Sequence, residues 1–165
     1  MPVHAYKGME IIMGSVPHGA DIIDFLTSVC EEQGVKAGLI SLIGSVSEAS
    51  IAFYDQETKV YSDIPNTRAA MEIVSATGNV SLKEGKPFPH LHAVLSGASG
   101  LCVAGHVNRG TKIFAAEFNI TRLDGPALAR APDKTTGLNL WKDVSASFRV
   151  DAENGACYKN RLLSQ

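Results

Sequence analysis

A chain of 165 residues is long enough for one domain with a substantial core, and its 45% hydrophobic and 19% charged residues are typical of a globular protein. The formal net charge of −2 argues against a surface built to bind nucleic-acid backbones, and no apolar run reaches the roughly 18 residues of a membrane span. Residues 1–7 lack the basic start and apolar stretch of a secretory signal peptide, so we expect a cytoplasmic protein with a single domain over residues 1–165.

The first predicted elements are a strand over residues 9–16 and an amphipathic helix over residues 19–33. Asp21 and Asp24 stand in the first turns of this helix, where the helix dipole favours acidic side chains. Gly34 supplies a C-terminal stop. The apolar residues that recur at helical spacing, and so predict a core-packing helix, are Ile22, Phe25, Leu26, Val29 and Cys30.

Short strands follow the helix and are separated by turns rich in glycine and asparagine. Apolar runs and period-two alternation predict six of them. The predicted strands cover residues 38–46, 49–54, 70–76, 88–96, 101–107 and 112–121. One helix followed by strands in consecutive hairpins predicts an α+β fold with a mostly antiparallel sheet.

The C-terminal part of the chain has a weaker pattern. Residues 123–143 contain two turn-forming proline segments and predict an extended connection. Apolar and polar residues then alternate over residues 144–150, which predicts a late strand. We expect residues 123–165 to be a C-terminal extension that packs on the same domain.

Three histidines lie on two strands of one predicted hairpin, whose turn covers residues 97–101. His90 and His92 share a face because side chains alternate along a strand. A turn centred on Ser99 places His106 directly opposite His92, on that same face. Three imidazoles there predict a divalent metal site, with zinc as the best-suited ion. Alternatively the three are unconnected polar side chains on a solvated face, since H-x-H pairs also occur without metal.

Three protein ligands leave one coordination position for water, as in catalytic zinc sites, or for a group from another subunit. Cys102 is a poor fourth ligand because it lies four residues from His106, roughly 13 Å along a strand. Val94 and Ala104 make the histidine face apolar, and the opposite face of the hairpin is apolar as well. Both faces therefore require cover, one from the core and the other from a second subunit.

Glu72 and Glu117 are the acids that could orient a ligand or act as a base at the metal. Glu117 reaches the histidine face only if the turn at Arg109-Gly110 pairs position 106 with position 113; an odd loop would place it on the other face. The alternative for both is an exposed strand carboxylate without a role at the site.

The remaining histidines and the cysteines have simpler interpretations. His4 and His18 are isolated, and we interpret each as a surface or turn residue. Three cysteines at wide spacings do not form a disulfide framework. We expect ordinary thiols in small apolar positions at Cys30, Cys102 and Cys157.

Several motifs, in their order and spacing, resemble the PPC domain family (plants and prokaryotes conserved) over residues 10–120. The most specific part is Pro-Phe-Pro-His-Leu-His at residues 87–92, followed by Gly105-His106 and Glu117-Phe118. The usual double glycine before the last histidine is Ala104-Gly105 here. Further matching segments are residues 19–23, 43–46, 54–55, 72–75 and 78–81.

The resemblance implies an antiparallel α+β fold, a homotrimer, and a metal such as zinc on the three matching histidines. It supplies no substrate. Prokaryotic members are commonly labelled as DNA-binding because plant relatives join the domain to an AT-hook. This chain has no Gly-Arg-Pro core between basic residues, so we do not expect it to bind DNA alone. In plant proteins the domain resembles an association module, which makes protein partners a further expectation.

Three functions therefore remain open. A metal-dependent enzyme for a small molecule requires an open coordination position in a cleft and a nearby base. An association module predicts a closed, structural metal without an adjacent pocket. A DNA-associated regulator predicts a patch of several lysines and arginines on one face. No nucleophile motif or phosphate-binding glycine loop specifies a reaction.

Overall fold

The computed structural model of the protein describes residues 7–65, 67–142, 148–150 and 157–159. Within them the chain forms one helix and a series of strands. In chain order the elements are β1 (Lys7–Val16), α1 (Ile22–Glu32), β2 (Gly38–Glu48), β3 (Ile51–Asp55), β4 (Val60–Asp63), β5 (Met71–Lys83), β6 (Lys86–Ser96), β7 (Cys102–Val107), β8 (Lys112–Asp124), β9 (Arg130–Pro132), β10 (Asn139–Trp141), β11 (Phe148–Val150) and β12 (Cys157–Lys159).

Eight of these strands form one sheet in the order β1-β8-β2-β5-β6-β7-β3-β4, with every neighbouring pair antiparallel. The predicted α+β class, with a mostly antiparallel sheet and one main helix, is confirmed. The sequence patterns miss β4 because its four residues are all exposed, and they miss β9 and β10 because each has only three residues. The late strand is present as β11, whereas residues 143–147 and His4 lie outside the described residues.

Helix α1 begins later than predicted because Asp21 caps it. One carboxylate oxygen accepts the backbone N–H groups of Ile23 and Asp24, at 3.0 and 3.3 Å. Residues 19–21 are instead held to the sheet, since the Gly19 N–H donates to the Ile113 carbonyl at 2.7 Å. The cap therefore fixes both the start of the helix and its seat on the sheet.

One face of the sheet, the covered face, packs against α1 and contains the core. Leu91 and Leu95 of β6 are fully buried there, together with Leu26 and Cys30 of the helix. Because apolar residues on β6 alternate with the histidines, burying one set turns the other set to the opposite face.

That opposite face, the open face, carries the histidines. Directly opposed residues of antiparallel strands project from the same side, so the pairings define a row across five strands. The row runs through Ile11, Thr121, Leu39, Asn79 and His90. Ile11 and Leu39 are 63% and 54% exposed, and no described helix lies over them.

Strands β5 and β6 approach each other closely at Gly78, which is opposite Leu91 and next to the partner of His90. A Cβ at Gly78 would overlap the carbonyl oxygen of His90. Any other residue there would push β6 outward, so this glycine holds the backbone of His90 against its neighbour.

Strands β9 and β10 form a ribbon at one end of the open face. The Leu82 N–H donates to the Leu128 carbonyl at 2.8 Å, and Leu128 is buried. In the connecting turn, hydrogen bonds from Thr136 lower the pKa of Asp133. The ribbon places Arg130 beside the histidines.

The single-domain assignment for residues 1–165 stays a prediction.

Membrane insertion through a helix has no support in the described part of the chain. Its one helix, α1, has 11 residues, too few to cross a bilayer.

Candidate metal centre

The histidines meet on the open face through the predicted hairpin register. β6 and β7 pair Ser96 with Cys102 and His92 with His106, as expected from a turn centred on Ser99. The ring centroids lie 5.2 Å apart for His90 and His92, 5.0 Å for His90 and His106, and 5.5 Å for His92 and His106. Three imidazoles from two adjacent strands therefore converge on one point.

The donor set is suited to a divalent ion. One nitrogen from each of His90, His92 and His106 lies within 4.8 Å of the other two. Nitrogen ligands about 2.0–2.1 Å from a tetrahedral ion stand roughly 3.3 Å apart, so small side-chain rotations would close the cluster. In the described residues this is the one group of three or more metal-ligating side chains close enough to share an ion. The geometry thus supports a three-histidine site.

Protonation also favours ligation. Burial, followed by the positive charge of Arg130 and the other two imidazoles, lowers the pKa of His90 to about 4. Burial and then His92 lower the pKa of His106. Both rings are therefore neutral at physiological pH, and a neutral imidazole offers its lone pair to a metal without first losing a proton.

One nitrogen of the cluster lacks any other partner. His106 Nδ1 is buried and has no hydrogen bond to another described residue. A buried polar atom without a partner is costly, and the remedies are hydrogen bonding or coordination. Three converging imidazoles with such an unsatisfied nitrogen fit a bound metal ion.

A cavity of about 300 Å³ adjoins the cluster. It lies between the histidine hairpin, β3, β4 and the β9–β10 ribbon. Its lining includes His90 and His106, and the other contributors are Tyr54, Lys59, Tyr61, Lys83, Phe88, Arg130, Gly137, Leu138, Asn139 and Leu140. The metal position is therefore next to a space that is large enough for a small molecule.

Two of these lining residues, Arg130 and Tyr61, could not be predicted from the sequence to lie near the histidines. Arg130 Nη2 lies 3.3 Å from His90 Nδ1, and the Tyr61 ring lies 5.1 Å from that of His106. Burial raises the pKa of Tyr61, so its phenol stays protonated. Arg130 falls within the predicted connection, and Tyr61 within a short exposed strand. Neither segment has the periodicity that would place it near the hairpin.

The structure does not bring Glu117 to the histidines. The pairing of position 106 with 113, on which a role for Glu117 depended, does not form, because β8 lies four strands from β7, roughly 19 Å across the sheet. Glu117 opposes Ser15 and Ile43 and is exposed. The chain turns away from β7 because the loop after it is held by two hydrogen bonds. The Asn108 N–H donates to the Ser50 carbonyl at 2.9 Å, and the Gly110 N–H donates to the Asp21 carboxylate at 2.6 Å.

Glu72 lies on β5, next to the histidine strand, but at the far end of it. Its partner is Ser96, four residues beyond His92 and roughly 13 Å away along the strand. The carboxylate is exposed and does not belong to the metal-ligating group. Neither predicted acid therefore contacts the cluster.

The other cysteines and histidines with described side chains stay apart from the cluster. Cys102 is exposed on the hairpin, with its thiol 3.7 Å from the Gly100 carbonyl, and Cys30 is buried in α1. His18 is exposed in a turn, where Nδ1 lies 2.8 Å from the Phe114 carbonyl oxygen. The side chain of Cys157 is not among those described.

Comparison with known proteins gives a consistent result. A family model for the Plants and Prokaryotes Conserved (PCC) domain matches residues 3–124. A metal-containing protein from Archaeoglobus fulgidus is 37% identical with a TM-score of 0.82, covering 87% of this chain and all (100%) of its own. A plant- and prokaryote-conserved protein from Pyrococcus horikoshii is 31% identical with a TM-score of 0.80, covering 88% and 99%. A protein from Bacteroides thetaiotaomicron, named as a candidate DNA-binding protein, is 27% identical with a TM-score of 0.72, covering 84% and 96%.

Proposed function

The chain belongs to the Plants and Prokaryotes Conserved domain family, and we propose that it binds one divalent metal ion, preferably Zn²⁺, through His90, His92 and His106. The observation that carries this proposal is the convergence of three ligand nitrogens within 4.8 Å. The name of the Archaeoglobus fulgidus relative, a metal-containing protein, supports it. Nitrogen-only ligation favours zinc over magnesium or calcium, which prefer oxygen.

We further propose that the ion acts on a small molecule and is not purely structural. A structural zinc is enclosed by four protein ligands, whereas this cluster supplies three and borders a cavity of about 300 Å³. When bound, the ion supplies Lewis-acid polarisation of a group in the remaining position. The chain contributes the neutral imidazoles, the phenols of Tyr54 and Tyr61, and the cation of Arg130.

No carboxylate lines this cavity in the part of the chain that is described. A mechanism that needs an acidic general base therefore has no candidate there. The arrangement favours binding and polarisation of a ligand over base-assisted attack by water.

The test is elemental analysis of the purified protein and of two variants. We expect about one metal per chain in the parent protein and its loss in His92→Ala, since two imidazoles seldom hold zinc alone. Thr77→Ala is the matched control, because Thr77 is an exposed residue directly opposite His92 and offers no ligand nitrogen. An unchanged metal content in His92→Ala would refute the site.

The homotrimer is also a proposal. Its support is the open face, where Ile11 and Met13 of β1 and Leu39 and Ile43 of β2 are 54–75% exposed on the two strands that flank β8. Several large apolar side chains exposed on one face of a sheet are typical of an interface between subunits. The mass in solution, measured by light scattering, should be about three times the 17.5 kDa of one chain, and a monomer would contradict the proposal.

DNA binding is the second candidate, favoured by the name of the Bacteroides thetaiotaomicron relative. Lys59, Lys83 and Arg130 are the cations that meet at the cavity and could contact phosphates. A net charge of −2 argues against it. Titration of a mixed-sequence duplex at low salt tests the option, and the absence of any complex there would remove it.

A further inference from the structure

Arg130 is held firmly beside the histidine cluster. Its guanidinium donates from Nε to the Ser81 hydroxyl at 2.7 Å, from Nη2 to Asn79 Oδ1 at 3.1 Å, and from Nη1 to the Asn139 carbonyl at 3.0 Å. The rings of Phe88 and Trp141 lie 5.2 and 5.8 Å from its central carbon. Such anchoring orients the guanidinium in advance of any ligand.

The fourth contact of this guanidinium is with His90. Nη2 lies 3.3 Å from His90 Nδ1, and because arginine only donates, Nδ1 must accept. This hydrogen bond is incompatible with metal ligation through either nitrogen of His90. If Nδ1 binds the ion, its lone pair is used; if Nε2 binds, Nδ1 carries the proton and becomes a donor. Metal loading therefore leaves an Arg130 N–H without an acceptor, next to a metal ligand.

The charged side chains that line the cavity are all positive, and Asp133 is the acid that lies near one of them, Lys59. Lys59, Lys83 and Arg130 line it, and no acidic side chain of the described residues does so. Asp63 shares the register row of His106 two strands away, but it lines a different cavity. Three imidazole ligands carry no negative charge and leave the two charges of the ion uncompensated, so the site as a whole favours an anion.

The rest of the cavity is mostly apolar, apart from Asn139 and the phenol groups of Tyr54 and Tyr61. The rings of Tyr54, Tyr61 and Phe88 and the side chains of Leu138 and Leu140 form its other walls. A volume of about 300 Å³ is at the lower end for small-molecule sites. The occupant that matches such walls is a small organic molecule with an apolar stem and one charged end.

We infer that the metal-loaded cavity binds a small organic oxyanion, whose carboxylate or phosphate group accepts the Arg130 N–H released by His90. This rests on the proposed metal site. Arg130 is then the residue that selects the ligand by charge. Binding of metal and oxyanion should be mutually favourable, since the metal creates the unsatisfied donor and the excess charge that the oxyanion removes.

The test uses the cobalt(II)-loaded full-length protein, with benzoate and phenyl phosphate as probes and uncharged benzyl alcohol as the ligand control. Calorimetry measures the affinity, and the visible cobalt spectrum reports changes at the ion. We expect both oxyanions, or one of them, to bind and benzyl alcohol not to bind. Which of the two binds more tightly distinguishes a carboxylate from a phosphate ligand.

Arg130→Gln should weaken oxyanion binding about tenfold or more, because it removes a hydrogen bond from a charged donor. Lys36→Gln, an exposed lysine away from the cavity, is the charge-matched control and should bind like the parent. Arg130→Lys keeps the positive charge but loses the planar, bidentate guanidinium group. It provides the test if circular dichroism shows that Arg130→Gln does not fold. It should also bind more weakly than the parent.

The outcomes separate the two proposals. Metal binding without oxyanion binding, or with equal binding by the parent and the folded Arg130 variants, would overturn the inference and leave the metal site intact. Failure to take up cobalt or zinc would overturn the metal site and the inference with it.

Discussion

The two faces of the eight-stranded sheet hold opposite kinds of side chain at alternate positions of the same strands. On the covered face, Leu91 is fully buried beneath α1, whereas its neighbour His90 on the open face is polar and only partly buried. Leu26 and Cys30 of the helix complete the buried side. The buried core thus lies on one face, and the other face can carry polar and charged side chains that a core would not tolerate.

The largest effect on the free energy of unfolding is expected from Leu91→Ala, with Leu39→Ala as its matched comparison. Leu91→Ala on the covered face should lower the free energy of unfolding by about 2–5 kcal/mol, because it leaves a cavity in the core. Leu39→Ala on the open face, where the side chain is 54% exposed, should change it by about 0.5 kcal/mol or less in the monomer. Urea denaturation measures both variants.

Equal losses in the two leucine variants would contradict the division between the faces. A large loss in Leu39→Ala that depends on protein concentration would have a specific meaning. It would show that the open face is buried between subunits, as the homotrimer proposal requires.

An intermediate effect is expected from two aspartates that organise local structure. Asp21→Ala should cost about 1–2 kcal/mol, because this carboxylate caps α1 and also accepts the Gly110 N–H at 2.6 Å. Asp133→Ala should cost less, since its bonds stay within the turn between β9 and β10. Thermal unfolding compares them, and the opposite order would show that the ribbon stabilises the sheet more than the helix cap does.

The pH dependence of the Asp133 contribution follows from its lowered pKa. A carboxyl group with a depressed pKa in the folded state stabilises the fold above the pKa of the unfolded chain. This contribution is lost as the pH falls through the folded-state pKa. The difference between the parent protein and Asp133→Ala should therefore shrink on acidification below the ordinary aspartate range, near pH 4.

The last comparison, which perturbs the fold least, is between the reactivities of two cysteine thiols. Iodoacetamide should modify Cys102 on the open face and spare Cys30, which is buried and whose pKa is raised to about 12 by burial and then by Glu31. At pH about 9 only about one in a thousand Cys30 thiols would be ionised, so raising the pH should not expose it to reaction. Peptide mass spectrometry reads each cysteine separately, with urea-unfolded protein as the control; native labelling of Cys30 at the rate of Cys102 would contradict the burial.

Much of the histidine site could be predicted because it is local. A turn of five residues sets the register of β6 against β7, and alternation then places His90, His92 and His106 on one face. The helix α1 was likewise predictable from its apolar spacing, apart from residues 19–21, the last of which is the Asp21 cap. The metal itself stays a proposal.

The error over Glu117 shows where local reasoning stops. A hairpin from β7 to β8 was the simplest continuation, but hydrogen bonds from the loop to Asp21 and Ser50 carry the chain to the far side of β2. Those partners are about 60 to 90 residues distant in sequence. No pattern within the strands themselves records them.

The sequence by itself determined the fold class, the hairpin and the shared face of three histidines, because period and turn length act over a few residues. Only the tertiary structure decided the strand order and the meeting of Arg130 and Tyr61 with the cluster. The physical reason is that strand order and the path of the β9–β10 ribbon depend on which distant surfaces bury each other, and neither periodicity nor spacing encodes that choice.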